Sequence, residues 1–407
     1  PIKSSAASDV YKRQIFGRTQ FEHYKSGTGS GGMVNAPYVT NITDSLKEDG
    51  TVQVNEVLEA QYREWLKDHP FDIGEGWAME PWNQEEMPVS EELTRQAAEQ
   101  SDLAIVVLGR TAGEDKDNSA AEGSYLLTAA EEEILRNVCN AFARTIVVLN
   151  VGNIMDMKWV DRYQPQAVLY VWQGGQEGGR ATVDVLTGKV NPGGKLSDTI
   201  AEDIEDYPST ENFGDPVENF YTEDIYVGYR YYETRYIGDD NVYTPEEEAE
   251  YQKAVQYPFG YGLSYTSFAY SDLKADETGV TLTVTNTGSC AGAEVVQLYV
   301  AKPDAKVFRP VKELKGFAKV QLEAGESKTV TIPLDDKAFR FWNVKANRWE
   351  IEGGEYELLV GASVEDIRLC EKISVHGTAT VHPYEDRDLD CYYKGNVLHV
   401  SDADFEK

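Results

Sequence analysis

Basic residues are scarce in this chain of 407 residues. Lys and Arg total 38 against 70 Asp and Glu, a formal charge of -32, and a field of that sign repels phosphate backbones, which argues against nucleic acid as a partner. Cysteine is equally sparse. Cys139, Cys290, Cys370 and Cys391 stand far apart with no C-x-x-C spacing, so neither a zinc site nor a disulfide framework is indicated, and the usage suits a reducing cytoplasm. No apolar run approaches the ~18 residues of a membrane span, so no membrane partner is expected. The histidines (His23, His69, His376, His382 and His399) show no metal-ligand spacing, so no metal is assigned. No G-x-S-x-G nucleophile elbow is present. An initiator methionine is missing too: residues 1–14, PIKSSAASDVYKRQ, read as a translated adapter and are set aside as a non-native leader, with no signal peptide in view.

Aromatic residues, by contrast, are plentiful. The 25 Tyr, 13 Phe and 7 Trp suit sugar-ring faces as well as cores. The chain shows two patterns. From Ile15 to about Trp172, apolar runs alternate with helical segments. Helices are expected at 37–46, 56–67, 88–100, 127–143 and 177–187. Strands are expected at 103–108, 145–151 and 167–172, after a stump at Ile15 and Phe16. The segment TAAE at 128–131 is a capping-box match with Thr128 as N-cap. Such alternation implies right-handed βαβ units and a mostly parallel sheet covered on both faces, a three-layer α/β/α sandwich. Past Phe259, period-two runs at 279–286, 294–300, 328–332 and 356–360 imply a β-sandwich. Residues 202–256 show little periodicity and read as a long ordered crossing.

One carboxylate has a setting for chemistry. The buried strand at 103–108 breaks into GRTAGEDKDN at 109–118, a polar loop with two glycines and Glu114 beside the second. Open α/β sheets bind ligands at the carboxyl ends of their strands, where this loop lies. From position alone, Glu114 is either a proton donor in that crevice or an ordinary solvated loop acid.

Other motifs compete. GTGSGG at 27–32 satisfies G-x-G-x-x-G, but the fingerprint belongs in the tight turn directly after the first strand, with an acidic residue ~20 positions on. Neither condition is met, and a loop near the crevice fits better. GGQEGGR at 174–180 follows a strand and opens a helix. Its glycines either offer N–H groups to an anion or hydroxyl or allow helix and sheet to pack closely. Glu177 is a second candidate acid, although a carboxylate in a first helical turn commonly just offsets the dipole. Asn41-Ile42-Thr43 is formally a sequon, discounted because it falls in an expected helix of what reads as a bacterial protein.

Taken together, these segments resemble glycoside hydrolase family 3, β-glucosidase-like, over residues 15–373. GRTAGE at 109–114 with YLLT at 125–128 is similar to the segment carrying that family's catalytic acid/base. GGQEGGR at 174–180 and LTGKVNPGGK at 186–195 resemble its sandwich-domain signature. EDIYVGYRYY at 223–232 and YPFGYGLSY at 257–265 match as well. VTNTG at 284–288 and RPVKELKGF at 309–317 resemble its fibronectin type III-like domain.

The resemblance implies an α/β fold: a three-layer α/β/α sandwich followed by an all-β fibronectin type III-like sandwich. The expected plan is a sandwich domain at 15–201, a Tyr- and acid-rich linking segment at 202–262, the fibronectin-like domain at 263–376, and a connector at 377–407. It implies a retaining β-glycosidase acting on small β-glucosides or oligosaccharides without a cofactor, with Glu114 as general acid/base and Arg110, Asp117, Gly29 and Ser30 near the substrate. The family's nucleophile is an aspartate on a (β/α)8 barrel, and no segment here offers eight βα repeats. The order fits a subgroup in which the barrel comes last, so the chain is expected to be the non-barrel portion of the enzyme and inactive by itself. A β-xylosidase or arabinofuranosidase of the same family is the alternative within the class. A non-catalytic carbohydrate-binding or scaffold module and a nucleotide-binding regulator are alternatives outside it.

Overall fold

The computed structural model describes residues 12–32, 34–214, 217, 221–236 and 244–383. The chain divides into two compact units, Pro1–Val190 and Asn191–Lys407.

In the first unit, five strands are joined in parallel: β1 (Lys12–Phe16), β2 (Gln53–Val54), β3 (Leu103–Arg110), β4 (Arg144–Val151) and β5 (Ala167–Tyr170), in the order β2-β1-β3-β4-β5. The central strand β3 is buried at all eight positions, which is why its sequence is continuously apolar rather than alternating. Leu103, Ile105 and Val107 face Ile42 and Leu46 of α1 (Ile42–Asp49) and, later in the chain, Val183 and Leu186 of α6 (Gly178–Thr187). On the other side of the sheet, Phe16 meets Phe142 edge-on, at the end of α4 (Ala129–Ala141). The remaining helices are α2 (Glu56–Asp68), α3 (Glu91–Ala98) and α5 (Trp159–Tyr163).

Side chains fix where the helices begin. The capping box at Thr128 forms as expected, with Thr128 Oγ1 accepting from Glu131 N and the Glu131 carboxylate accepting from Thr128 N. The helix expected at 37–46 starts only at Ile42, because the Asn41 side chain accepts from Asp44 N and ends the extended stretch before it. Strand β1 begins at Lys12, so residues 12–14 are not outside the fold as the leader reading had it. Gln14 is fully buried and bonds Ala97 O, and Arg13 pairs with Asp102. The rest of that leader, residues 1–11, lies outside the described residues.

In the second unit, the segment read as an aperiodic crossing is built structure. Strands β6 (Ile200–Ala201) and β7 (Val255–Tyr257) pair antiparallel, and helices α7 (Tyr229–Tyr236) and α8 (Pro245–Ala254) lie between them. Their core is made of tyrosines: Tyr226, Tyr231, Tyr232 and Tyr251 close on Ala254 and Val255. The two compact units divide between Val190 and Asn191, while the sequence reading set its boundary after residue 201.

The β-sandwich follows. One sheet runs β11-β10-β15-β16 and the other β12-β9-β8, all antiparallel. The strands are β8 (Phe268–Asp276), β9 (Gly279–Asn286), β10 (Gly292–Ala301), β11 (Lys312–Leu322), β12 (Ser327–Pro333), β15 (Gly354–Gly361) and β16 (Ile367–Val375). A separate hairpin is formed by β13 (Arg340–Asn343) and β14 (Arg348–Ile351). Val284, Leu298, Tyr356 and Val360, all fully buried, anchor the shared core. Residues 384–407 of the expected connector, including its unfinished helix, lie outside the described residues.

Candidate active site

The sheet order makes a switch point. β1 has β2 on one side and β3 on the other, so the chain leaves the carboxyl ends of β1 and β3 in opposite directions. Crevices at such points are where open α/β sheets take ligands. The loops that leave these two strands carry GTGSGG and GRTAGE.

The two loops hold each other at close range. Thr28 N donates to Ala112 O at 2.5 Å, and Thr28 bridges Gly113 in parallel. Gly113 has φ 131, and a Cβ on it would stand 2.4 Å from Thr28 O. Gly29 has φ 80, and a Cβ there would stand 2.5 Å from Glu114 Cβ. Only glycine fits both places. The outcome is a defined carboxylate: Glu114 Oε2 accepts from Ser30 N at 3.1 Å and from Ser30 Oγ at 3.0 Å, while the side chain stays exposed. Gly29 and Ser30 therefore stand beside Glu114, and Asp117 is an exposed residue of the same loop.

Arg110, expected near the substrate, is 2% exposed and engaged by the protein. Its Nη1 and Nη2 reach the two Glu131 oxygens at 2.5 and 2.7 Å, Nη1 also donates to Gly109 O, Nε donates to Ser124 O, and Nη2 donates to Leu126 O. Burial would lower its pKa, but Glu131 outweighs that and holds it above the ordinary value. The pair fastens the root of the loop whose tip carries Glu114. Beneath it, burial pushes Glu86 up to about 8, with the Glu131 charge adding to the effect and hydrogen bonding from Arg18 N opposing it.

The glycines at 174–179 serve packing. A Cβ on Gly178 would lie 2.2 Å from His23 Nε2, and one on Gly179 would lie 2.5 Å from the Asn41 backbone. The helix-start N–H groups of Gly179 and Arg180 are taken by Thr40 Oγ1, so the hydroxyl they hold is the chain's own. Burial pushes His23 down to about 4, so it is neutral near pH 7. Glu177 lies below its ordinary value because the Tyr38 hydroxyl donates to it at 2.5 Å, with Arg180 in support. Its carboxylate is engaged by Tyr38 and Arg180 at the start of α6. The G-x-G-x-x-G loop does not precede a helix, since α1 starts only at Ile42, which removes the dinucleotide reading. Among the described residues no cluster of His, Cys, Asp or Glu could hold a metal ion, and no helix is long and apolar enough to cross a membrane.

Three positioning residues escaped the sequence reading. Asn150, at the end of β4, accepts from Tyr24 N and donates to Tyr24 O and Trp172 O, joining two strand-end loops. Trp82 takes Thr111 N on its carbonyl, and its ring lies 5.7 Å from Lys116 Nζ. Thr40 is the third. A polar residue closing an apolar strand was the available signal for Asn150; Trp82 and Thr40 offered none.

Comparison with known proteins bears on this arrangement. The Glycosyl hydrolase family 3 C-terminal domain matches residues 6–229, and a Fibronectin type III-like domain matches residues 294–364. A beta-glucosidase of Ruminococcus albus is 45% identical over 381 residues, covering 91% of this chain and 38% of the relative. An exo-alpha-(1->6)-L-arabinopyranosidase of Bifidobacterium breve is 38% identical, covering 73% of this chain and 38% of that protein. The crystal structure of a beta-glucosidase from Paenibacillus barengoltzii superposes with a TM-score of 0.82 at 44% identity, over 92% of this chain and 40% of that one. The chain thus spans about two fifths of the length of the relatives it matches.

Proposed function

This chain belongs to glycoside hydrolase family 3, and we propose that it is the non-barrel portion of a retaining β-glucosidase-like enzyme in which Glu114 is the general acid/base. The observation that carries the reading is the exposed Glu114 carboxyl at the switch point of the sheet, oriented by Ser30. The names of the relatives support the substrate class, a terminal β-glucosyl unit. The share of their length that this chain spans supports a second catalytic domain, a (β/α)8 barrel supplying an aspartate nucleophile.

The chemistry is a double displacement. The nucleophile carboxylate attacks the anomeric carbon while the bond to the leaving oxygen breaks, and the Glu114 proton passes to that oxygen. Glu114, now a carboxylate, takes a proton from water as the water oxygen attacks the anomeric carbon, releasing sugar and nucleophile. The two carboxyl groups must stand ~5–5.5 Å apart to do this. The 407-residue chain alone therefore hydrolyses nothing. Asp117, Gly29 and Ser30 stand near the substrate in this reading. The cysteine usage supports a cytoplasmic location. The arabinopyranosidase relative favours a second reading, an exo-acting arabinosidase with the same acid/base.

The test uses the polypeptide that includes the barrel. Glu114→Gln should slow cleavage of substrates with poor leaving groups by ~10²–10⁴-fold and activated aryl glycosides far less. Equal, mild effects on both substrate types would remove Glu114 from this role. Hydrolysis of an aryl β-glucoside by the 407-residue chain would overturn the two-domain reading. Comparing p-nitrophenyl β-glucoside with the α-L-arabinopyranoside separates the two specificities.

A further inference from the structure

A hairpin that faces water on one side is expected to be polar on that side. The β13–β14 hairpin is not. Its register pairs Arg340 with Ile351, Phe341 with Glu350, and Trp342 with Trp349. The inner face carries Phe341, Asn343 and Glu350, all buried, with Asn343 Nδ2 donating to Glu350 Oε2 at 2.7 Å. The outer face carries Arg340, Trp342, Trp349 and Ile351. Trp342 is 43% exposed and Trp349 59%. Their ring centroids are 5.5 Å apart, with the planes at 75°. Beside them lies a cleft of about 370 Å³ lined by Asp336, Arg340, Arg348, Trp349, Ile351 and Thr378, within the size range of small-ligand sites.

We propose that this face binds a single chain of β-linked glucose units, as a site separate from Glu114. Three features select that occupant. The lining charges are already neutralised: Arg340 pairs with Asp336 at the rim, and Arg348 pairs with Glu350, which lies buried behind it. Neither sign is in excess, which fits a neutral ligand. A guanidinium beside a carboxylate offers donors and acceptors together, the pattern that neighbouring hydroxyls need. Trp349 borders the cleft and Trp342 packs edge-to-face against it at 75°, so the pair offers a sugar ring a stacking face beside these polar groups but no flat platform for a crystal surface.

A second copy of the protein is a poorer occupant. A tryptophan buries 150–250 Å², so these two half-exposed rings supply a small part of the ~800 Å² per partner that a stable interface needs. The choice of glucose rests on the proposed β-glucosidase reading, whereas the aromatic surface stands without it.

The test needs no catalysis. The 407-residue chain is run in native gels with and without soluble mixed-linkage β-glucan, and titrated with cellopentaose while tryptophan fluorescence is followed. Retardation and saturable quenching are expected. W342A and W349A should each weaken binding about tenfold or more with at most a small fall in melting temperature, because both side chains are about half exposed and lose mainly their contact with each other. E114Q should bind as the parent does, and crystalline cellulose should capture little. An unretarded parent, or tryptophan variants that bind as the parent does, would overturn the site. Binding lost in E114Q but kept in the tryptophan variants would move the ligand to the catalytic crevice. Self-association abolished by W349A, with no glucan retardation, would give the face to a second copy. The hydrolysis experiments on Glu114 stand or fall apart from all of these.

Discussion

The tip and the root of the loop that leaves β3 treat their glutamates in opposite ways. At the tip, Glu114 is exposed and held by Ser30 through one main-chain and one side-chain donor. At the root, Glu131 is 1% exposed and saturated: Arg110 grips both oxygens, and Thr128 N and Oγ1 add two more bonds to Oε2. A proton donor must be reachable and able to change charge, so it cannot be buried like Glu131. It must also be placed within a fraction of an ångström. The loop separates the two demands. Rigidity sits in the buried ion pair and the two glycine contacts, and the proposed proton donor sits where solvent can enter.

Breaking the root should have the largest effect. Arg110→Met keeps much of the side-chain volume but leaves Glu131 buried without its cation. Removing one partner of a buried pair costs about 3–5 kcal/mol, and urea denaturation of the 407-residue chain should show a loss in that range. Replacing both partners, Arg110→Met with Glu131→Leu, should recover part of it, though the capping-box contribution of about 1 kcal/mol stays lost. A double variant no better than the single would mean that the pair does not organise the root.

The root also contains a pH test. Glu86 holds its proton up to about 8, against an ordinary value of 4.5. A carboxyl with a raised folded-state pKa stabilises the fold below the unfolded value, and that contribution is lost as pH rises towards the folded value. Stability from this group should therefore decline between about pH 4.5 and about pH 8 and level off above. Glu86→Gln, which cannot ionise, should flatten that part of the profile relative to the parent. Glu365, in the second unit, is also pushed up to about 8, first by burial and then by Glu233 across Lys312, so it contributes a decline of the same sign. The difference between parent and Glu86→Gln isolates the root.

The sequence made the local features legible and hid the long-range ones. Strand β3, the capping box at Thr128 and the loop bearing Glu114 could be read because each is written in a few neighbouring residues. The place of Gln14 in the sheet and the ion pair of Arg110 could not. Gln14 is fixed by Ala97 and Arg110 by Glu131, partners 83 and 21 residues away. The tyrosine-rich segment read as a crossing because its core side chains, such as Tyr226 and Tyr251, come from elements with little apolar periodicity between them. The glycine loop at 27–32 matched a nucleotide pattern by composition alone. Its glycines are needed because Thr28 and Glu114 stand where a Cβ would go.

The smallest effect sharpens the contrast at the tip. Ser30→Ala removes the hydroxyl that donates to Glu114 Oε2 at 3.0 Å but keeps the backbone N–H at 3.1 Å. Both residues are exposed, so stability should change by no more than about 0.5 kcal/mol. The carboxyl, however, loses one of two restraints on its direction. In the barrel-containing polypeptide, kcat for a substrate with a poor leaving group should fall severalfold with KM nearly constant, because alignment matters when the proton moves and little when the sugar binds. An activated aryl glycoside should barely respond. If Ser30→Ala instead raised KM equally for both substrates, Ser30 would contact the sugar directly, and the tip would be a binding surface as well as a proton donor.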